Sequence, residues 1–172
     1  MRSGGAREQM DSLLRTSEAY RDNALMIRFG AIEGLVSCTR DIQESLYQLE
    51  RLGIHLDAQS YRVAILDLDA YSQLFQIEAD QRQESQLMTF VLFNISDEIV
   101  SRENAGIAYQ EGRSRVCVLC TGEKNKEFES RIQAVCKEIQ EKAGEAIGMG
   151  VSVGIGGWVR SLTELHFSHE QA

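Results

Sequence analysis

The sequence predicts an α+β domain with a mainly antiparallel sheet, preceded by a long N-terminal helix. Three observations support this prediction. The first fifty or so residues show helical rather than strand periodicity. Short runs rich in branched apolar residues then alternate with amphipathic helical segments. Two of these runs are joined by residues 110–114 alone, a connection typical of an antiparallel hairpin.

The N-terminal region from Arg7 to about Val36 predicts one long helix, because it lacks proline and has glycine only at positions 30 and 34. Residues 1–6, with a Ser-Gly-Gly run, are expected to be a flexible tag or linker. Alternating steps of three and four, the spacing of a coiled-coil seam, relate Met10, Leu13, Ser17, Tyr20, Ala24, Ile27 and Ala31. A helix packed along its own domain shows the same stripe, so a parallel dimer stalk and intramolecular packing are equal alternatives.

A second helix is predicted to begin at Thr39 or Asp41 and to end at Gly53. Its apolar side chains share one face and are Ile42, Leu46, Leu49 and Leu52. Residues 7–52 therefore form a helical linker, a possible coiled-coil stalk, and residues 53–172 form the domain that follows.

The central strand is predicted within the stretch from Tyr61 to Tyr71, where a short branched apolar run indicates burial on both faces. Asp67 and Asp69 stand at its end, two positions apart. On an extended strand both carboxylates would leave the same face, where they could hold Mg²⁺ on a nucleotide phosphate. The alternative is that they mark the end of the strand and cap the next helix.

The rest of the domain is predicted to alternate helices with short strands. In order, these are a helix over 70–76, a polar loop over 78–84, a helix over 84–102, strands over 106–109 and 115–119, a helix over 124–143, a strand over 148–156 and a helix from 161. The side chains predicted to face inward are Leu87, Val91, Ile95 and Ile99 in the helix over 84–102, and Phe128, Ile132, Val135 and Ile139 in the helix over 124–143. Gly112 is placed to take a positive φ in the hairpin, and Ser161-Leu-Thr-Glu164 is a capping box. A hairpin inside this alternation predicts a ferredoxin-like arrangement.

Composition narrows the possible partners. A net charge of −8 argues against binding to a nucleic-acid backbone by this segment unaided. No run of apolar residues approaches the length of a membrane span, and the N-terminus lacks the apolar block of a signal peptide, so a cytoplasmic location without membrane contact is expected. The cysteines lie among apolar residues, as buried reduced thiols do.

Several apparent motifs do not support a site. Cys117 and Cys120 lie in a strand pattern that points positions three apart to opposite faces, so a metal knuckle is not expected. His166 and His169 have no third ligand close in sequence and are expected to face solvent. The glycines between 148 and 157 precede a strand rather than a helix, so close backbone approach explains them better than a phosphate loop does.

From Leu52 to Ala172 the chain resembles the GGDEF and class III cyclase palm, and most closely its degenerate relatives. Asp67-Leu-Asp-Ala-Tyr is similar to the Asp-x-Asp-x-Phe-Lys motif, and Val151-Ser-Val-Gly-Ile-Gly156 is similar to the closing strand. The turn differs from the signature motif of that family, since Gly112-Arg-Ser-Arg-Val116 stands in place of Gly-Gly-Asp/Glu-Glu-Phe. Ser72 and Phe75 replace a Lys and the Asn that contacts guanine. Asp67 alone matches a metal ligand of the family.

The overall likeness is greatest to the middle domain of AraC-type two-component response regulators. It rests on Gln48-Leu-Glu-Arg-Leu-Gly-Ile54, Asn94-Ile-Ser-Asp-Glu-Ile99, Ser161-Leu-Thr-Glu-Leu165 and Ser168-His-Glu-Gln-Ala172. In those regulators a receiver domain precedes this region and a helix-turn-helix pair follows it. The resemblance thus implies a fragment of a bacterial transcription regulator.

The resemblance implies a non-catalytic signal-relay or dimerisation domain, with no enzymatic activity, catalytic residue or cofactor. Its expected partners are a second copy, bound through the N-terminal helix, and DNA only through a missing C-terminal helix-turn-helix domain. The first alternative is a nucleotide or small-molecule sensor in which Arg113 and Arg115 meet a phosphate or carboxylate. The second is an active nucleotide cyclase in which Asp67 and Asp69 hold the metal, Asp67 being the candidate metal ligand.

Overall fold

A computed structural model describes the backbone of residues 3–69, 79–112 and 115–172. The elements in chain order are α1 (Ser3–Ser37), α2 (Ile42–Arg51), β1 (Ser60–Leu68), α3 (Ala79–Arg102), β2 (Gly106–Glu111), β3 (Arg115–Gly122), α4 (Lys126–Ile147), β4 (Val151–Ile155), a 3₁₀ turn (Leu162–Glu164) and α5 (Leu165–Gln171). The predicted helix over 70–76, with Ser72 and Phe75, lies outside the described residues. No helix in the described part has the length and apolarity needed to span a bilayer.

The four strands form one sheet in the order β2-β3-β1-β4, and every neighbouring pair is antiparallel. β1 therefore has hydrogen-bonded neighbours on both sides, as its apolar run predicts. The sheet order and the hairpin between β2 and β3 confirm the predicted α+β, ferredoxin-like fold with a mainly antiparallel sheet.

Alternate residues of the strands contribute to two apolar cores, one on each face of the sheet. On one face, Ala64, Leu66 and Leu68 of β1 pack with α3 and α4. On the other face, Val63 and Ile65 pack with buried side chains of α1, α2 and α5. The domain is thus a sheet between two helical layers, and the second layer includes both the first and the last helix of the chain.

The helix boundaries of α1 and α3 differ from their predictions. α1 begins at Ser3 rather than Arg7, and α3 begins at Ala79 rather than Glu84, so the polar stretch predicted as a loop is helical from residue 79 onward. Neither segment contains proline, and Ala, Gln and Arg before Glu84 are good helix formers, so polarity alone did not mark a loop.

The buried face of α3 also differs from the prediction. Leu87, predicted to face inward, has 63% of its surface exposed, whereas Leu92 and Phe93 are almost fully buried. Phe93 is buried because it meets Phe29 of α1 in an edge-to-face contact, with ring centroids 4.8 Å apart. By contrast, the predicted inward side chains of α4 are all buried, namely Phe128, Ile132, Val135 and Ile139.

The burial of α1 differs between its two ends. Its C-terminal part packs within the domain, where Ala31, Ile32 and Leu35 are fully buried. Met10 and Leu13 of the predicted seam are 61% and 68% exposed. The side chains of Ser17 and Tyr20 lie outside the described part. Intramolecular packing is therefore confirmed for the C-terminal part alone.

The glycines near the end of the chain allow close contact between β4 and α5. A Cβ at Gly156 would lie 1.8 Å from the carbonyl oxygen of Ser168, and one at Gly154 would lie 2.2 Å from that of Ala172. Gly148 caps the C-terminus of α4 with a φ of +74°. The prediction of close backbone approach rather than a phosphate loop is thus confirmed.

The start of the last helix differs from the predicted capping box. The hydroxyl of Ser161 accepts a hydrogen bond from the backbone N–H of Thr163, at 3.3 Å, rather than from that of Glu164 as in a capping box. The amide of Glu164 instead donates to the carbonyl oxygen of Ser161 at 3.0 Å. These bonds close a 3₁₀ turn, so α5 begins at Leu165.

The cysteines occupy contrasting environments. Cys117 and Cys120 face opposite cores, as predicted, and they are buried together with Cys136. Burial raises the pKa of all three thiols, to about 11 for Cys136. Cys38, with a φ of +57° after α1, is exposed, which corrects the expectation that all four are buried.

We therefore expect a single thiol per chain to react rapidly with an aromatic disulfide reagent at about pH 8, because Cys38 is exposed and the reagent cannot reach the three buried thiols. After denaturation all four cysteines should react. Cys38→Ser should remove the rapid phase. Rapid labelling of two or more thiols in the folded chain would contradict the described packing.

Candidate functional site

A row of polar side chains crosses the sheet at the end where β1 finishes. Glu111 of β2 pairs with Arg115 of β3, and Asp67 of β1 pairs with Ser152 of β4. The register that pairs Leu66 with Val116 brings Arg115 beside Asp67. Directly paired residues of neighbouring strands point to the same face. The row therefore lies on the face that carries α1 and α5.

Asp67 is engaged by a cation of the protein itself. The Nε–H of Arg115 donates to Oδ1 of Asp67 at 3.1 Å, and the two side chains are 40% and 45% exposed. Burial lowers the pKa of Arg115, but the hydrogen bond and charge of Asp67 outweigh it, so the pKa lies above its ordinary value. The carboxylate that matches a metal ligand of the family is thus paired with a guanidinium.

Asp69 lies just beyond the end of β1 and has different partners. Its carboxylate oxygen Oδ1 accepts a short hydrogen bond from the hydroxyl of Ser152. Its backbone N–H donates to the carbonyl oxygen of Gly150 at 3.0 Å. A Cβ at position 150 would lie 2.3 Å from the other carboxylate oxygen, so Gly150 leaves the space that this side chain occupies. Asp67 and Asp69 therefore each have a protein partner near the same end of β1.

The two arginines of the turn are not equally described. Arg113 lies outside the described residues, and Gly112 before it has the predicted positive φ, at +62°. Arg115 is the first residue of β3, and its guanidinium lies over the sheet rather than beyond the tip of the hairpin. Arg115, the described arginine of this hairpin, thus contacts Asp67.

A second cluster, which the sequence did not reveal, adjoins the row. Oε2 of Glu111 accepts a hydrogen bond from the thiol of Cys117, at 3.1 Å, and lies 2.8 Å from Nε2 of His169 in α5. The side chains of His169 and Glu111 are only 24% and 25% exposed. The expectation that His169 faces solvent was therefore wrong, because α5 packs against β1 and β4 and brings the imidazole of His169 beside the end of β2.

The charge of Glu111 is stabilised within this cluster. Burial raises the pKa of Glu111, but hydrogen bonds from His169 and Cys117, together with the charges of His169 and Arg115, outweigh that effect. The pKa of the carboxyl group is thus lower than usual. The ionised carboxylate can accept from both neighbours at once.

The hydroxyl of Tyr109 lies in the same region. Tyr109 pairs with Cys117 across β2 and β3, and it is fully buried. Its hydroxyl oxygen has no hydrogen-bond partner among the described residues. Burial, with the nearby Cys117 and Glu111, raises the pKa of Tyr109 well above its ordinary value, so the hydroxyl stays protonated.

The hairpin pattern in the sequence could have indicated part of this cluster. With Gly112 in the turn, the hairpin register places Glu111 and Cys117 on the same face, one diagonal step apart. His169 is 58 residues from Glu111, and only the docking of α5 brings it close. Spacing along the chain carries no information about that docking.

Two clefts lie at the opposite end of the sheet, where β1 begins and β3 finishes. The larger, of about 410 Å³, carries two cationic side chains, Lys124 and Arg160, beside the ring of Trp158. The smaller, of about 260 Å³, lies between the end of β3 and the start of α4. Asp67 lines neither cleft, so these clefts are separate from the polar row.

Comparison with known proteins identifies a family for most of the chain. Residues 39–172 match the family described as the GGDEF-like domain. A similar solved structure is entitled "Structure of a bacterial light-regulated adenylyl cyclase"; it is 14% identical, with a TM-score of 0.43, and the match covers 58% of this chain and 54% of that one. The chain thus spans about half the length of that structure. No curated protein is significantly similar in sequence. Since the family match covers well over half of the sequence, the chain belongs to the GGDEF-like domain family.

Proposed function

We propose that this GGDEF-like domain is a non-catalytic relay and dimerisation domain of a bacterial transcription regulator of AraC type. The single observation that carries the non-catalytic part is the ion pair between Arg115 and Asp67. The AraC context rests on the sequence resemblance described above. In such a regulator a receiver domain would lie before α1 and a DNA-binding domain after α5.

The ion pair opposes metal binding through charge. Because the pair is nearly half exposed, it contributes no more than about 1 kcal/mol to stability, so its strength alone would not block a cation. A divalent cation at Asp67 would, however, have to displace Arg115 and then remain close to its positive charge. At Asp69, a cation would have to compete with the hydroxyl of Ser152 for Oδ1.

We expect the chain to form no cyclic mononucleotide and no linear or cyclic dinucleotide when incubated with Mg²⁺ or Mn²⁺ and either GTP or ATP. The measurement is separation of the reaction mixture by liquid chromatography with mass detection. An active diguanylate cyclase in the same buffer is the positive control. Product formed by the wild-type chain and lost in Asp67→Ala would overturn the proposal in favour of an enzyme.

The relay part is supported by the shared layer of α1 and α5. Both helices pack on the same sheet face, where Ile32 and Leu35 of α1 and Leu165 of α5 belong to one buried cluster. At the end of α1, Sγ of Cys38 lies 3.5 Å from Nδ1 of His166 in α5. A rotation or shift of α1 would therefore act directly on the helix that precedes the proposed output domain.

The dimerisation part is supported by the exposed N-terminal part of α1. Met10, Leu13 and Ile27 belong to the predicted seam, and all three are exposed in the single chain. Large apolar side chains at this spacing are those that a second parallel helix covers in a coiled coil. A second helix would bury this apolar surface, and that burial favours association. We therefore assign this face to a second copy of the chain.

We expect the wild-type chain to sediment as a concentration-dependent dimer and Leu13→Glu to weaken dimerisation at least about tenfold, because two carboxylates would be brought into an apolar seam. Arg15→Glu introduces the same residue at the outer position of the same heptad and is the matched control. Equal weakening by both variants, or a wild-type monomer at all concentrations, would contradict this use of α1. A change seen only when GTP is added would favour the sensor alternative.

A further inference from the structure

We propose that Glu111, Cys117 and His169 form a binding site for a divalent transition metal of the zinc type. Their ligand atoms, a carboxylate oxygen, a thiol sulfur and an imidazole nitrogen, all lie within 4.8 Å of one another. The three residues come from three different elements, β2, β3 and α5. The site is distinct from the Asp67 position, which is occupied by Arg115.

The fold holds these three side chains in place before any metal arrives. The hairpin register fixes Glu111 and Cys117 on neighbouring strands. His169 is fixed by its neighbour Ser168, whose buried hydroxyl accepts a hydrogen bond from the backbone N–H of Val63 at 2.9 Å. A site built on strands and on an anchored helix loses little conformational freedom when it binds a ligand.

The chemistry of the donor set selects the metal. Sulfur and imidazole nitrogen with one carboxylate suit zinc or cobalt, whereas magnesium and calcium prefer oxygen ligands alone. A thiolate and a carboxylate carry two negative charges, which a divalent cation neutralises, so the complex adds no net charge to a largely buried place. Because Glu111 and His169 are each about a quarter exposed, water can reach the fourth position of a tetrahedral site.

Metal binding at this site would displace protons from two of the three ligand side chains. The thiol proton of Cys117 now bridges to Glu111, and it must leave when sulfur binds the metal. Nε2 of His169 must likewise present its lone pair in place of the N–H that points at Glu111. The contacts of 3.1 and 2.8 Å must widen slightly, since metal bonds of about 2.0–2.3 Å at tetrahedral angles separate ligand atoms by about 3.5 Å.

Tyr109 supplies a second observation that points to this place. Its buried hydroxyl has no hydrogen-bond partner among the described residues, and it pairs with Cys117 across the hairpin. A hydroxyl can donate to a metal-bound thiolate, which accepts more strongly than a thiol does. Metal binding would thus satisfy a polar atom that is costly to leave unpaired.

The test uses the full chain and Co²⁺ as the probe, because a cobalt–thiolate bond gives a charge-transfer absorption band in the near ultraviolet. We expect the wild-type chain to develop this band on titration and Zn²⁺ to abolish it by displacement. Cys117→Ser should lose the band, and His169→Gln should weaken Co²⁺ binding at least about tenfold. Absence of the band in the wild-type chain, or failure of Zn²⁺ to displace cobalt, would overturn the proposal.

The matched control is Cys38→Ser, because Cys38 is a second thiol that lies near a histidine, with its Sγ 3.5 Å from Nδ1 of His166. This variant should keep the band and the wild-type affinity. Loss of the band in Cys38→Ser and its survival in Cys117→Ser would move the metal to the other pair and overturn the assignment.

A second readout separates lost binding from lost folding. Zn²⁺ should raise the Tm of the wild-type chain by several degrees, and it should leave the Tm of folded His169→Gln nearly unchanged. Circular dichroism establishes that each variant is folded. An equal rise of Tm in both proteins would contradict the role of His169. This test does not depend on the relay role, because metal binding is measured without a receiver, DNA or nucleotide.

Discussion

Gly156→Ala is expected to destabilise the domain by about 3 kcal/mol and to displace α5 from the sheet. The new Cβ would lie 1.8 Å from the carbonyl oxygen of Ser168, a distance that no two non-bonded atoms can keep. The strand cannot easily yield, since the N–H of Gly156 donates to the carbonyl oxygen of Val63 at 2.9 Å. If α5 moves instead, the buried hydrogen bond from Val63 to Ser168 is lost. Urea unfolding monitored by circular dichroism measures the change.

Gly144→Ala is the matched control for this substitution. Gly144 lies inside α4, and the nearest atom that its Cβ would meet is 3.9 Å away. Alanine is the better helix former, so this variant should be as stable as the wild type or more stable by up to about 1 kcal/mol. If Gly156→Ala were equally harmless, the described packing of α5 on β4 would be incorrect.

Leu35→Ala is expected to lower the free energy of unfolding by about 3 kcal/mol. Leu35 lies in α1, has no exposed surface and belongs to the apolar core on the face that carries α1 and α5. Removing its side chain forfeits the burial of several carbon atoms and leaves a cavity that a sheet and its helices cannot fully close. Urea unfolding at several protein concentrations gives the value.

Leu13→Ala makes the same chemical change in the same helix, at a position that is 68% exposed. At concentrations where the chain is monomeric, it should change stability by less than about 0.5 kcal/mol. The contrast tests whether the C-terminal part of α1 is part of the folding unit. Equal effects at positions 13 and 35 would contradict the packing of that part on the sheet.

Local periodicity made much of the fold predictable. Strand alternation placed Cys117 and Cys120 on opposite faces, and the apolar run of β1 indicated a strand with neighbours on both sides. The turn at Gly112 needed only the short connection between two strands and a residue that tolerates positive φ. Each of these features depends on residues that are close in sequence.

The features that the sequence did not predict depend on how elements dock. α3 carries apolar side chains around much of its surface, and contact with Phe29 of α1 helps to place Phe93 in the core while Leu87 is exposed. The cluster around Glu111 needs α5 to return to the sheet, which depends on close approach at Gly156. Asp67 and Asp69 were predicted correctly as neighbours at the end of a strand, but their partners, Arg115 and Ser152, come from other strands.

The exposed part of α1 has the proportions of a lever. Its described side chains between Gly5 and Arg15 are all exposed, and partial burial begins at Ala24 and Leu25. At 1.5 Å per residue, the twenty or so residues before the anchored part span about 30 Å. A tilt of about 10° at the anchored end would thus carry the far end through about 5 Å, the rise of one helical turn. Conversely, a displacement of about 5 Å imposed on the tip would reach the anchored end of α1 as a rotation of only about 10°.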